Sequence, residues 1–281
     1  MHFLPFHGRI IRIVDGDRAG RLQRRKCTRY YKSSEVEIIM DEKKIRINKY
    51  IADAGICSRR DADKLVEQGL VMVNGRNAES GTKVGKMDVV TVRGKKISTE
   101  EEKIVLAYYK PIGVTCTERD LHAKKTVIQD LKYPVRVTYA GRLDKESEGL
   151  LLMTNDGNLI NGLMRAANFH EKEYVVKVDK EITEEFIKDM KAGVYLPELE
   201  KTTRPCEVEY VGKYTFRIVL TQGLNRQIRR MCKELGYQVK QLRRIRIANI
   251  ELGKLKPREY RRLTEQELNV LYSKVRSQET E

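Results

Sequence analysis

Apolar positions along this chain change their period at about residue 44. Before it, Gly, Arg and short apolar pairs alternate with no sustained period of two or 3.6, through stretches such as RLQRRK and KSSEVE. This predicts a disordered N-terminal extension over residues 1–43, and we expect translation to begin at Met40, just ahead of the first recognisable element. Asp15, Asp17, Glu35 and Glu37 argue against a targeting peptide.

Residues 44–98 read as a small unit of two helices followed by a sheet. Ile47, Tyr50, Ile51 and Ala54 form one helical face that Gly55 ends, and Ser58-Arg59-Arg60-Asp61 is a capping box opening a second helix to Gly69. Ala62, Leu65 and Val66 give that helix its apolar side. Val71–Val73 and Val89–Val92 are strands, and Asn74-Gly75 is the turn residue pair of a tight hairpin.

A charged connector, residues 99–103, leads to a larger domain over residues 104–273, with a disordered tail at 274–281. Strands are predicted at Ile104–Tyr109, Val137–Ala140, Leu150–Thr154, Tyr174–Val178, Cys206–Tyr210, Tyr214–Leu220 and Leu242–Ile250. Helices are predicted at Asn158–Ala166, Thr183–Ala192, Asn225–Leu235 and Thr264–Tyr272, with Gly193 and Gly236 as C-caps and Thr264 to Glu267 as a capping box. Several strand connections are too short to hold a crossover helix. The fold class is therefore α+β, with a mixed, mainly antiparallel sheet and flanking helices.

Charge narrows the partners. The 281 residues carry 56 Lys+Arg against 40 Asp+Glu, a formal net charge of +16, which suits a polyanion such as nucleic acid. No apolar run approaches the ~18 residues of a spanning helix, so a soluble, cytoplasmic protein without a membrane partner is expected. Cys27, Cys57, Cys116, Cys206 and Cys232 are odd in number and never paired as Cys-x-x-Cys, which predicts reduced thiols. With no zinc-like histidine spacing, no metal is expected.

Three segments of the larger domain invite a chemical explanation. Gly141-Arg142-Leu143-Asp144 stands ahead of an apolar run, Gly149 to Thr154; alone, it would be a turn in which Asp144 caps a helix or pairs with Arg142. Tyr174 opens a strand within Lys172-Glu173-Tyr174, where a core ring with its hydroxyl at the edge is the plain alternative. In Asn225-Arg226-Gln227-Ile228-Arg229-Arg230, helical spacing puts Ile228, Met231, Cys232 and Leu235 on one face and Arg226, Arg229, Arg230 and Lys233 on another. Four cations in one stripe repel one another unless something anionic lies there. Arg244 and Arg246, two apart in KQLRRIR, should share a strand face and could track an RNA backbone.

Taken together, the run from Tyr139 through Asp144 to Gly157, the Lys172-x-Tyr174 pair, Asn225 to Arg229 and the weaker Lys110-Pro111-Ile112-Gly113 resemble the motifs of pseudouridine synthases. Ser147 and Glu148 fall where that family varies. Residues 44–98 resemble the small α-L RNA-binding module shared with a ribosomal protein of the small subunit, and the combination is that of the branch acting on ribosomal RNA. The tract from Asn225 to Asn249 is most similar to the RluF type, which acts on large-subunit rRNA.

The resemblance implies isomerisation of a uridine to pseudouridine in large-subunit (23S) rRNA, without a cofactor. It makes Asp144 the nucleophile, Tyr174 the ring that packs on the base and removes a proton, and Arg229 the partner of Asp144. Arg142 fills the gap left by the flipped base, and Lys172, Asn225, Arg226 and Arg230 join it in holding the substrate. In the small module Arg59, Arg60 and Lys64 lie on the polar side of the second helix; alone a solvated face, under the resemblance they become RNA contacts beside Arg244 and Arg246. Small-subunit rRNA or tRNA is the alternative substrate. A non-catalytic RNA-binding factor of ribosome assembly is the alternative of another class, and a monomer is expected.

Overall fold

The structure, a computed structural model, describes residues 2–6, 9–13, 44–99, 102–117, 125–165 and 170–276. Inside the N-terminal segment expected to be without regular structure, β1 (His2–Phe6) and β2 (Arg9–Ile13) pair as an antiparallel ladder. The rest of that extension lies outside the described residues.

In the small unit β3 (Ile45–Arg46) precedes α1 (Ile47–Asp53) and α2 (Arg59–Glu67). The predicted apolar faces are the buried ones, Ile47, Tyr50, Ile51 and Ala54 on the first helix and Ala62, Leu65 and Val66 on the second. Ser58 starts α2 as foreseen, its Oγ accepting from the Asp61 backbone N–H at 3.2 Å. Then come β4 (Val71–Val73), β5 (Arg76–Asn77), β6 (Lys83–Val84), β7 (Val90–Val92) and β8 (Lys95–Ile97). Four of them form a sheet in the order β5-β4-β7-β8, while β6 pairs β3. Asn74 and Gly75 take φ values of 51° and 79°, the conformation a tight hairpin requires.

The larger domain runs through β9 (Val105–Lys110), α3 (Val127–Leu131), β10 (Thr138–Ala140), β11 (Glu148–Thr154), α4 (Gly157–Met164) and β12 (Lys172–Val178). It continues with α5 (Glu184–Ala192), β13 (Tyr195–Leu196), β14 (Lys201–Thr202), β15 (Glu207–Gly212), β16 (Thr215–Leu220) and α6 (Gln227–Glu234). It closes with β17 (Val239–Ile247), β18 (Ile250–Glu251), β19 (Tyr260–Arg262) and α7 (Glu265–Arg276). The main sheet has the order β15-β16-β12-β17-β11-β9-β19. Its ladders are antiparallel except for β11 with β17. The expected mixed, mainly antiparallel sheet is found.

Alternation sorts the central strands onto two faces. Ala107, Tyr109, Leu150 and Leu152 pack under Leu159 and Leu163 of α4 and Leu271 and Val275 of α7. Leu106, Tyr108, Leu151 and Met153 face the other way, onto Val127 and Leu131 of α3. Farther along the sheet, Val176, Val178, Phe216 and Ile218 pack on α5 and on Ile228, Met231 and Cys232 of α6. Burying both faces of β9 and β11 explains why their sequences read as continuous apolar runs.

Three expectations change. The helix placed at Thr264–Tyr272 extends to Arg276, so residues 274–276 are not part of a disordered tail, and residues 277–281 lie outside the described ones. The long strand expected over Leu242–Ile250 ends at Ile247 and folds back, with β18 pairing on β17 after Ala248 adopts a positive φ of 51°. The five-residue α3 and the three-residue β19 were not foreseen; runs this short carry too few turns or alternations to register as a period.

Candidate active site

Asp144 stands on the loop that joins β10 to the start of β11, half-exposed, between exposed Arg142 and buried Ser147. Two arginines at the start of α6 approach it. Arg229 Nε lies 4.0 Å and Arg226 Nη1 3.9 Å from Asp144 Oδ2. Arg229 also ties down the loop, Nη2 donating to the Glu146 carbonyl at 3.0 Å and to Ser147 Oγ at 3.3 Å. Arg226 donates to Glu146 Oε2 at 2.8 Å, a bond that holds the Glu146 carboxyl below its ordinary range and the guanidinium above its own. The Arg229 guanidinium is pushed down, first by burial and then by the neighbouring Arg226 charge. The first turn of α6 thus brings Arg229 to Asp144 as the motif implied, and Arg226, just ahead of the helix with a positive φ of 51°, reaches the same carboxylate.

The rest of the arginine stripe turns elsewhere. Arg230 pairs with Glu198 and bonds to the carbonyl and side chain of Asn225, at 2.9 and 3.2 Å, and Lys233 meets Glu198 at 2.9 Å. The anions that relieve the stripe are therefore the protein's own carboxylates, Glu146, Asp144 and Glu198. Arg230, expected to hold substrate, is instead engaged with Glu198 and with Asn225, expected to do the same, because a step of one residue from Arg229 turns a helical side chain by about 100°.

Arg244 and Arg246 also depart from expectation. Arg244 is 2% exposed, its Nε donating to the Leu150 carbonyl at 2.7 Å and its Nη1 to the Arg142 carbonyl at 3.4 Å. Arg246 Nε bonds to Glu173 at 2.6 Å and its Nη1 to Glu171 at 2.8 Å, beside a separate cavity of about 440 Å³ lined also by Tyr109 and Arg217. The two do not share a face. Opposite β12 the register passes from Tyr174↔Arg244 to Glu173↔Arg246, so Ile245 is an extra residue, a β-bulge that breaks the alternation.

Tyr174 is half-buried on the β12 face that carries Val176, packed against the cluster to which Ile228 and Met231 of α6 belong. It lies in a row with Arg244 and Gly149 across three adjacent strands, the outer two about 10 Å apart by strand spacing. Lys172, two residues earlier on that strand, donates to the His170 carbonyl at 3.0 Å, and burial, aided by the nearby Arg244 charge, pushes it down to about 8. Beneath the Asp144 loop the fully buried Lys110 bonds to the carbonyls of Pro111 and Ser147 at 2.9 and 2.7 Å. Burial lowers it to about 8, against the opposing pull of Cys116 and Asp144. Sequence reasoning missed Lys110 and Glu146 as members of the site; the Lys110-Pro111 motif was a signal, while Glu146 had none.

Arg142 opens onto a cleft of about 500 Å³ between the two units. Arg59 and Arg60 of α2 line it from one side, Arg136, Tyr139 and Cys116 from the other. The Leu143 N–H, next to Asp144, points at Cys116 Sγ at 3.5 Å, so this cleft reaches the Asp144 loop. Lys49 Nζ on α1 bonds to Asn158 Oδ1 on α4 at 2.9 Å, a contact between the two units beside the cleft. Lys64 is exposed and does not line the cleft.

Comparison with known proteins gives this geometry its context. Residues 104–234 match the family model described as RNA pseudouridylate synthase, and residues 45–90 match the S4 domain. The chain is 45% identical over 245 residues to the "Dual-specificity RNA pseudouridine synthase RluF" of Escherichia coli (strain K12), covering 86% of this chain and 83% of that protein. It is 37% identical over 234 residues to the "Ribosomal large subunit pseudouridine synthase B" of Bacillus subtilis (strain 168), covering 80% and 95%. A solved structure titled "Crystal structure of pseudouridylate synthase" superposes with a TM-score of 0.60 at 28% identity, over 81% of this chain and 99% of that one. On these matches the small unit is an S4 domain and the chain belongs to the RNA pseudouridine synthase family.

Proposed function

We propose that this enzyme converts a uridine of large-subunit ribosomal RNA to pseudouridine, with Asp144 acting at the sugar. The observation that supports it most is the placing of Asp144 between Arg226 and Arg229, on a loop whose Arg142 opens onto the cleft lined by Arg59 and Arg60. RNA lying in that cleft would meet cations of both units. Extruding the target base costs a few kcal/mol, offset by new stacking on Tyr174 and by Arg142 filling the vacated place.

The N1–C1′ bond then breaks, and uracil leaves with the bonding electron pair. The Asp144 carboxylate either adds to C1′ or balances the positive charge that develops there. After the base turns, C5 bonds to C1′, displacing the Asp144 carboxylate with its electron pair where it had added, and the C5 proton is removed, with the Tyr174 phenol oxygen as the candidate acceptor. N1 regains a proton, so the reaction balances as an isomerisation. Arg229 holds the carboxylate and its loop in place.

A second RNA substrate, transfer RNA or small-subunit rRNA, is the other reading, and the "dual-specificity" in the E. coli relative's name favours testing it. Mapping pseudouridines in rRNA and tRNA from cells with and without this gene decides. Loss of one large-subunit rRNA pseudouridine supports the proposal; loss confined to tRNA or small-subunit rRNA overturns it.

A further inference from the structure

The segment from Arg142 to Leu150, the Asp144 loop and the start of β11, has an unusual floor. Four of its backbone carbonyls meet cations: Arg142 and Leu150 bond to Arg244, Glu146 to Arg229, and Ser147 to Lys110. Of these cations only Arg244 holds both ends of the loop, one carbonyl before Asp144 and one after it. The grip is close because β17 runs against the start of β11 at Gly149. There a Cβ would stand 2.2 Å from the Arg244 carbonyl oxygen, and φ is +106°. Arg244 is also opposite Tyr174 on its other side.

A charged side chain buried to this degree costs stability unless its donors are matched, and Arg244 Nη2 is buried without a hydrogen-bond partner. Its charge also disfavours the protonated forms of Lys110 and Lys172. Packing alone would be served better by an apolar side chain. What the guanidinium supplies, and a methionine would not, is a rigid two-point link between the ends of the nucleophile loop and the strand that pairs with Tyr174.

We propose that Arg244 is a positioning residue for the reaction: it closes the Asp144 loop from below and sets the carboxylate against the Tyr174 strand, without contacting RNA itself. This rests on the role given to Asp144 in the proposed function, so its test includes a readout independent of turnover.

The full-length protein and its R244K and R244M variants would be compared by amide hydrogen exchange over residues 143–149. The same proteins would be tested by binding and single-turnover assays on an rRNA fragment. In R244M the loop should exchange at least about 10-fold faster while residues 45–97 are unchanged, because the Ser147 N–H to Asp144 carbonyl bond at 3.1 Å loses its support. At saturating RNA the rate should fall at least about 100-fold with the dissociation constant within about 3-fold. R244K, which keeps the charge and one bond, should recover part of both. If R244M fails to fold, R244K decides alone: faster loop exchange and a slower saturated rate at unchanged affinity support the proposal. Unchanged loop exchange overturns it, as does a saturated rate near wild type with weaker binding and a log-log salt slope smaller by about 0.9, the sign of a phosphate contact. If the wild type converts no uridine in any RNA offered, the proposed function fails while the exchange measurement still judges Arg244.

Discussion

Arg229 faces Asp144 across 4.0 Å, and the same guanidinium holds the Glu146 carbonyl and the Ser147 hydroxyl of the loop that carries the aspartate. One side chain thus supplies both a countercharge and a frame. Arg229→Lys retains the charge but not the fork, so turnover should fall about 100-fold. Arg226 stands as near Asp144, at 3.9 Å, but its short bond is to the exposed Glu146 side chain and it holds neither the Glu146 carbonyl nor the Ser147 hydroxyl, so Arg226→Lys should cost less than about 10-fold. Single-turnover assays of both at saturating RNA give the comparison; equal losses would remove the distinction.

Asp144→Asn preserves the size of the side chain and removes its charge. RNA binding should stay within a few-fold of wild type while turnover falls at least ~1000-fold. Residual activity near wild type in a tritium-release assay would end the case for Asp144.

The cleft between the units sorts the basic residues of α2. Arg59 and Arg60 line it and Lys64 does not. Charge reversal at Arg59 and Arg60 should weaken binding of an rRNA fragment and flatten its salt dependence, each lost contact removing up to about 0.9 from the log-log slope. Lys64→Glu should do much less. Rates at saturating RNA should remain within a few-fold, and a collapsed rate at unchanged affinity would mean that α2 helps assemble the catalytic residues.

Lys172 makes stability depend on pH. Below about pH 8 the folded protein holds a partly buried ammonium that the unfolded chain keeps in water, so the cost is fully present there. As pH rises from about 8 towards the ordinary lysine value, the folded state releases this proton before the unfolded chain does, and the cost is relieved. Lys172→Met should therefore gain on the order of 2 kcal/mol near pH 6.5, even after losing the bond to His170, and that gain should shrink above pH 8. Urea unfolding at several pH values measures it; a gain that is flat with pH would show that Lys172 is not the group involved.

A chain beginning at Met40 should keep the melting temperature and activity of the full one. Among the described residues β1 and β2 pair with each other and with no strand of the two larger units. A large loss in either quantity would assign the extension a structural or RNA-binding role.

Most elements were legible in the sequence because period and punctuation agree there. Ser58 and the Thr264 to Glu267 box mark helix starts, and Ile228, Met231 and Cys232 give the buried side of α6. The candidate site was legible in its geometry where helical spacing is regular, as where Arg229 comes within 4.0 Å of Asp144. It was not legible where a distant partner decides. Nothing local tells Arg230 that Glu198 will claim it, and a strand gives no sign that Ile245 will bulge and send Arg244 inward and Arg246 towards Glu173. Counting two residues along a strand assumes an unbroken ladder, and the partner strand settles whether it is unbroken.

The Gly149–Arg244 pairing also has a bearing on when this protein can become active during synthesis. The Arg244 bond to Leu150 spans 94 residues, and those of Arg226 and Arg229 to the Asp144 loop span 80 and 83. The S4 module closes its own ladders within residues 45–97 and can form as soon as they leave the ribosome. The Asp144 loop must wait until β17 has been made. At about 5–20 residues per second this leaves roughly 8 to 30 seconds in which the growing chain can hold RNA without acting on it. Because such long-range closure is entropically slow, locking of that loop is expected among the last events of folding.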